Sequence, residues 1–147
     1  MMNIFSSLKI KLSLLLMLAT SFSFAQKNEL QFEKTKQSFK KVNEGAFVTL
    51  NYYFEYVGND TLSMLSPEVD CSCTEIKLEN ADKIIPNQKY SLQVIFNTND
   101  KIGYQEREVW LTFITQKSTK QLKQKLIFKG VVKASKATKE KYKQQNN

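Results

Sequence analysis

Between Phe47 and Val57 the side chains alternate with a period of two. Val48, Leu50, Tyr52, Phe54 and Tyr56 fall on one side, and Thr49, Asn51, Tyr53 and Glu55 on the other. Successive side chains of an extended chain point to opposite faces, so this spacing gathers the first set on one face of a strand. On a helix the same aromatics would scatter around the circumference. The pattern returns in Tyr90, Leu92, Val94 and Phe96, and in Val109, Leu111 and Phe113 against Trp110, Thr112 and Ile114. It returns again in Leu126, Phe128 and Val132 against Lys125, Ile127, Lys129 and Val131. Weaker segments are Leu30 with Phe32, Phe39 with Val42, Leu62 to Val69, and Ile76 with Leu78. Pro67 makes the Leu62–Val69 segment an edge or a bend, because proline cannot donate to a ladder. Turn signals separate these runs: Asn43-Glu44-Gly45, Gly58-Asn59-Asp60, Ile84-Ile85-Pro86-Asn87 and Gln116 to Thr119. No amphipathic run is long enough for a crossover helix. About seven short strands at regular spacing predict an all-β protein, an antiparallel β-sandwich. Gly130, inside the last strand, marks a bulge or a close backbone approach.

The ends of the chain are of different character. Lys9 and Lys11 precede an apolar run from Leu12 to Phe24, which is short for a membrane span. Ser23-Phe24-Ala25 supplies small residues where a signal peptidase reads, so residues 1–25 are expected to be a signal peptide cleaved after Ala25. An uncleaved N-terminal anchor is the competing reading. Residues 26–132 then form one domain, and residues 133–147 a basic tail without fixed structure. Its Ala, Lys, Glu and Gln also leave a solvated helix open. The expected location is periplasmic or secreted.

The formal charge of +8 does not describe the domain. Lys9 and Lys11 leave with the signal, and Lys133, Lys136, Lys139, Lys141 and Lys143 sit in the tail. The body between is close to neutral and holds the one arginine, Arg107. A nucleic-acid reader would carry its basic face on the fold, so nucleic acid is not an expected partner. The tail lysines allow weak contact with an anionic surface such as lipid or acidic polysaccharide.

Specific chemistry concentrates at Asp70-Cys71-Ser72-Cys73-Thr74, which holds both cysteines of the chain. On a straight strand Cys71 and Cys73 would face one side with Cα atoms about 6.6 Å apart. A bridge within the pair therefore requires a bend at Ser72. Four states stand open: thiols packed as small core groups, a strained and easily reduced local disulfide, a copper(I) site of two thiolates with Met64 as nearest third ligand, and an intermolecular bridge. Asp70 and Glu75 flank the pair with no visible partner for acid–base work. The chain has no histidine for a triad and no phosphate-binding glycine loop. Tyr53 and Trp110 are candidates for a ligand platform, or else residues packed on the less buried strand faces. A non-enzymatic domain without a cofactor is expected, with a redox or copper(I) role for Cys71 and Cys73 as the alternative.

The order FEKTKQSF, VNEG, FVTLNYYFEYVGNDTL, CSCT, IIPNQKYSLQVIF and FKGVV resembles a bacterial exported family, domain of unknown function 1573, over about Leu30 to Val132. Its most specific elements are Cys71-Ser72-Cys73-Thr74, matching a Cys-Gly-Cys-Thr motif, and Lys129-Gly130-Val131-Val132. Ser72 stands in place of the motif glycine, and Ser38-Phe39-Lys40 where the family shows Asp-Phe-Gly. The resemblance implies an immunoglobulin-like sandwich akin to Hydin-type and major sperm protein domains. It implies no reaction. The role expected of such a domain is binding or structural, with protein partners in the cell envelope.

Overall fold

The computed structural model describes residues 28–79 and 81–145. The basic n-region, the apolar run and the Ala25 cleavage site lie outside the described residues. Two sheets face each other. One contains β1 (Leu30–Phe32), β4 (Phe47–Tyr56), β7 (Thr74–Leu78) and β8 (Gln88–Asn97) in the order β1-β4-β8-β7. The other runs through β2 (Lys36–Ser38), β10 (Gln121–Lys133), β9 (Gly103–Thr115) and β5 (Leu62–Met64). Here β3 (Val42–Asn43) joins β10 and β6 (Glu68–Val69) joins β9. This is the two-layer sandwich the alternation predicts, of the immunoglobulin-like kind the resemblance implies.

The short segments are fragments of fewer edge strands. The pairings Leu65–Thr112 and Glu68–Trp110 leave Ser66 and Pro67 facing the single Leu111. The extra residue is a bulge that absorbs the proline. Phe39 to Lys41 form a similar insertion between β2 and β3, against β10. One expectation needs correction: the sheets are not purely antiparallel. After β1 the chain crosses to the opposite sheet without reversing, so β2 and β3 lie parallel to β10.

The core follows the alternation. Val48, Leu50, Tyr52, Phe54 and Tyr56 are buried between the sheets, as are Leu92, Val94, Phe96, Val109, Leu111, Phe113, Leu126, Phe128 and Val132. Phe32, Phe54 and Tyr90 form a stacked row across three strands, with ring centroids 4.7 and 5.5 Å apart. Phe54 meets Phe113 at 6.0 Å and Phe96 meets Phe128 at 5.3 Å, tying one layer to the other. Ile84, read as turn, is fully buried and exchanges both main-chain hydrogen bonds with Leu62. The turn at Asn43-Glu44-Gly45 places Gly45 at φ 86°, a conformation that disfavours other residues.

Where composition predicts a tail without fixed structure, a helix, α1, spans Lys136–Gln145 and buries no residue. Ser135 is its N-cap, accepting the Thr138 N–H at 3.1 Å. The Glu44 carboxylate accepts from the Ser135 N–H at 3.0 Å and the Thr138 hydroxyl at 2.6 Å. A negative charge therefore sits at the positive end of the helix.

Candidate functional site at the cysteine turn and the open sheet edges

The cysteine turn carries the chain from β6 in one sheet to β7 in the other. The ladder to β9 ends where the Asp70 carboxylate accepts the Glu108 N–H at 3.1 Å, replacing a main-chain partner. Cys71 and Cys73 are joined by a disulfide, with Cα atoms 5.1 Å apart. That is shorter than a straight strand allows, and the bend falls at exposed Ser72. The Thr74 N–H closes the turn on Cys71 O at 3.2 Å, and Cys73 O accepts the Asn97 N–H at 2.8 Å. Cys73 packs against the core, while Cys71 is half-buried with its Sγ 3.8 Å from Thr74 Oγ1. Of the four states the sequence leaves open, the structure holds the local disulfide.

A bridged pair offers no thiolates to copper(I). Met64 lies on β5, packed against the core. Among the described residues no three His, Cys, Asp or Glu gather as a metal site. The flanking carboxylates do not converge either. Asp70 is used on Glu108, and exposed Glu75 pairs with Lys77 at 3.3 Å.

The motif segments meet at this end of the sandwich. Phe39 lies against Gly130 and 6.0 Å from Phe96, and Phe96 pairs with Thr74 across β7 and β8. Arg107 is the neighbour on β9 of Glu108, whose N–H the Asp70 carboxylate accepts. Its guanidinium donates to Gln105 Oε1 at 2.8 Å, and its buried Nε has no partner among the described residues. The signal was present in the sequence. Counting back by twos from Val109 puts Arg107 and Gln105 on the inward face.

Tyr53 and Trp110 form no joint platform, because they lie on the outer faces of different sheets. Trp110 sits beneath Lys125 Nζ, 5.2 Å from the ring centroid. Tyr53 lines a groove of about 430 Å³ on the four-stranded sheet, with Gln31, Glu33, Glu55, Lys89 and Ser91. A second groove, of about 540 Å³, runs between α1 and the loops at Glu44, Asp100 and Ile102. The tail lysines from Lys136 onward are exposed on α1.

The sheet edges differ in what they leave free. The edge at Leu62–Val69 is covered at Leu62 by Ile84 and broken by the Ser66-Pro67 bulge. On β7, the bonds from Asn97 to Cys73 and from Glu79 to Ser91 set the parity, so Ile76 and Leu78 turn their main-chain groups outward. The Glu75–Lys77 pair beside them blunts that edge. On β4, partnership with β1 reaches only to the Glu33 N–H on Tyr53 O. From Phe47 to Asn51 the strand has β8 on one side and, among the described residues, no strand on the other. The Gln37 amide reaches in, donating to Asn51 O at 2.6 Å. Phe47, 70% exposed, stands at the end of this open stretch.

A family model described as "Protein of unknown function (DUF1573)" matches residues 30–132. The chain belongs to this family. The match ends with β10 and takes in the cysteine turn, the Phe39 segment and Gly130. Among curated proteins, none matches the chain in sequence. Similar solved structures include the ASH/PapD-like domain of human CEP192 (PapD-like domain 7), with TM-score 0.58 and 9% identity, over 74% of this chain and 88% of that one. The VesB protease of Vibrio cholerae aligns with TM-score 0.53 and 8% identity, over 71% of this chain and 32% of its own. The YadV chaperone aligns with TM-score 0.51 and 10% identity, over 71% and 52%. This DUF1573 chain thus spans about a third of VesB and half of YadV. At these identities the likeness shows the fold alone.

Proposed function

We propose that this DUF1573 domain is an exported, non-enzymatic binding module of the cell envelope that takes protein partners by strand addition. The observation that carries the reading is the open stretch of β4 from Phe47 to Asn51. Odd-numbered β4 residues bond toward β1, so those of Phe47, Thr49 and Asn51 aim at the vacant side. An extended partner segment laid there gains main-chain hydrogen bonds, and Phe47 and Tyr53 offer apolar contact on the outer face. The β7 edge has no comparable aromatic and carries charges, which disfavour pairing. The apolar segment before Ala25 supports export, with Gln26 as the mature N-terminus.

Thr49→Pro tests the reading. Thr49 is exposed and its N–H points away from β8, so proline there removes a docking donor while the β4–β8 ladder stays whole. Partners crosslinked to the wild-type domain in intact envelopes are expected to be lost in this variant, whose thermal midpoint should stay close to wild type. A folded variant with an unchanged crosslinking pattern refutes docking at β4.

A further inference from the structure

The cysteine turn is not used by the edge-binding reading, and its features point to chemistry of its own. We propose that Cys71–Cys73 is a thiol–disulfide exchange site that oxidises a protein or small-molecule dithiol outside the cytoplasm. Three observations converge on this. The bridge closes a loop with sequence separation 2, and such short loops restrict the unfolded chain least. It is therefore a poor staple for a sandwich that already has a continuous apolar core. Next, the turn is held independently of the sulfurs. Asp70 binds the Glu108 N–H, Thr74 N–H binds Cys71 O, and Cys73 O binds the Asn97 N–H. Opening the bridge leaves all three in place, so both redox states are accessible to one fold. Finally, the two sulfurs are inequivalent. Cys73 packs on the core, whereas Cys71 stands outside that cluster beside the Thr74 hydroxyl.

The exchange follows from this asymmetry. A donor thiolate attacks Cys71 Sγ; the Cys71–Cys73 bond breaks, and Cys73 leaves as thiolate and takes a proton. The donor is now linked to Cys71 as a mixed disulfide. The donor's second thiolate attacks the donor sulfur of that link, forming the donor disulfide and releasing Cys71 as thiolate, which takes the second proton. The Thr74 hydroxyl, 3.8 Å from Cys71 Sγ, donates to the departing sulfur and makes it a better leaving group. The donor dithiol loses two electrons and two protons, and Cys71 and Cys73 gain both.

The experiment uses the mature chain and glutathione as probe, with two glutathione molecules replacing the dithiol. Protein equilibrated in mixtures of reduced and oxidised glutathione is quenched with an alkylating agent, and its intact mass gives the reduced fraction. The expected result is a transition from bridged to dithiol within the glutathione range, with far-ultraviolet circular dichroism unchanged on reduction. A pair that stays bridged in hundredfold excess of reduced glutathione overturns the proposal, as does a chain that unfolds when reduced. A Cys73→Ser variant isolates Cys71. Adding Thr74→Val to it should slow alkylation near neutral pH roughly fivefold and move the reaction profile to higher pH. An unmoved profile removes the role assigned to Thr74.

Discussion

The ring of Phe39 occupies the space that a side chain on Gly130 would need. A Cβ built on Gly130 would lie 2.5 Å from Phe39 Cδ2 and Cε2. Glycine in β10 is thus the socket for an aromatic that the β2–β3 edge sends inward, toward Phe96.

Gly130→Ala is expected to overpack this contact and cost about 1–3 kcal/mol in chemical denaturation. Phe39→Ala loses the ring instead. Because the two residues share one space, the double variant should be less destabilised than the sum of the single changes. Strict additivity in a double-mutant cycle would refute the socket.

Tyr52 spans the sandwich, its hydroxyl donating to Ile127 O at 3.0 Å in the opposite sheet. Burial pushes its phenol well above the usual tyrosine range. The unfolded phenol ionises near pH 10, so the folded state binds the proton more tightly. Stability from this group is present below about pH 10 and falls as the pH rises beyond it. Tyr52→Phe should cost about 0.5–1.5 kcal/mol at neutral pH through the lost hydrogen bond between the sheets, and should flatten the alkaline loss of stability. Denaturant midpoints measured from pH 8 to 11 check both effects.

Glu44 joins the β3 turn to α1. The Thr138 hydroxyl, with the Ser135 N–H, holds its carboxyl below the ordinary value of 4.5. The sign is opposite to that of Tyr52: the contribution is present above that value and is lost as the pH falls through the lowered folded one. Backbone resonances of Lys136 to Lys143 should therefore move toward random-coil positions on acidification while core resonances hold. Glu44→Gln should show the same displacement at neutral pH. Helical shifts indifferent to both changes would refute the cap.

The sequence disclosed the long strands because burial was written into alternate residues. Tyr52, Phe54, Leu92, Val94, Leu111 and Phe128 could be assigned to the core from spacing alone, and the structure buries each. Pairing partners were less legible. A three-residue segment such as β1 or β2 carries too few side chains to choose a sheet, so the crossing between them left no periodic trace. Ile84 was hidden for a related reason: its contribution is a main-chain bridge to Leu62, and its Pro86-Asn87 neighbours read as turn. β9 begins at Gly103, well before the alternation becomes visible at Val109, because Gln105 and Arg107 place polar groups on the inward face. At the cysteine turn, the bend at Ser72 was a stated requirement of a bridge. Which state the cysteines take depends on the path from β6 to β7, and alternation does not encode that path.

The crossing from β1 to β2 has a consequence for the order in which the molecule assembles. Segments from the beginning of the domain take their seats beside β10, the strand of this sandwich that is synthesised after the others. Until β10 emerges, Phe39 has no socket and the second layer lacks the ribbon that joins β9 to β2. Completion of the sandwich is therefore a late event, and the nascent domain stays unlatched until β10 arrives.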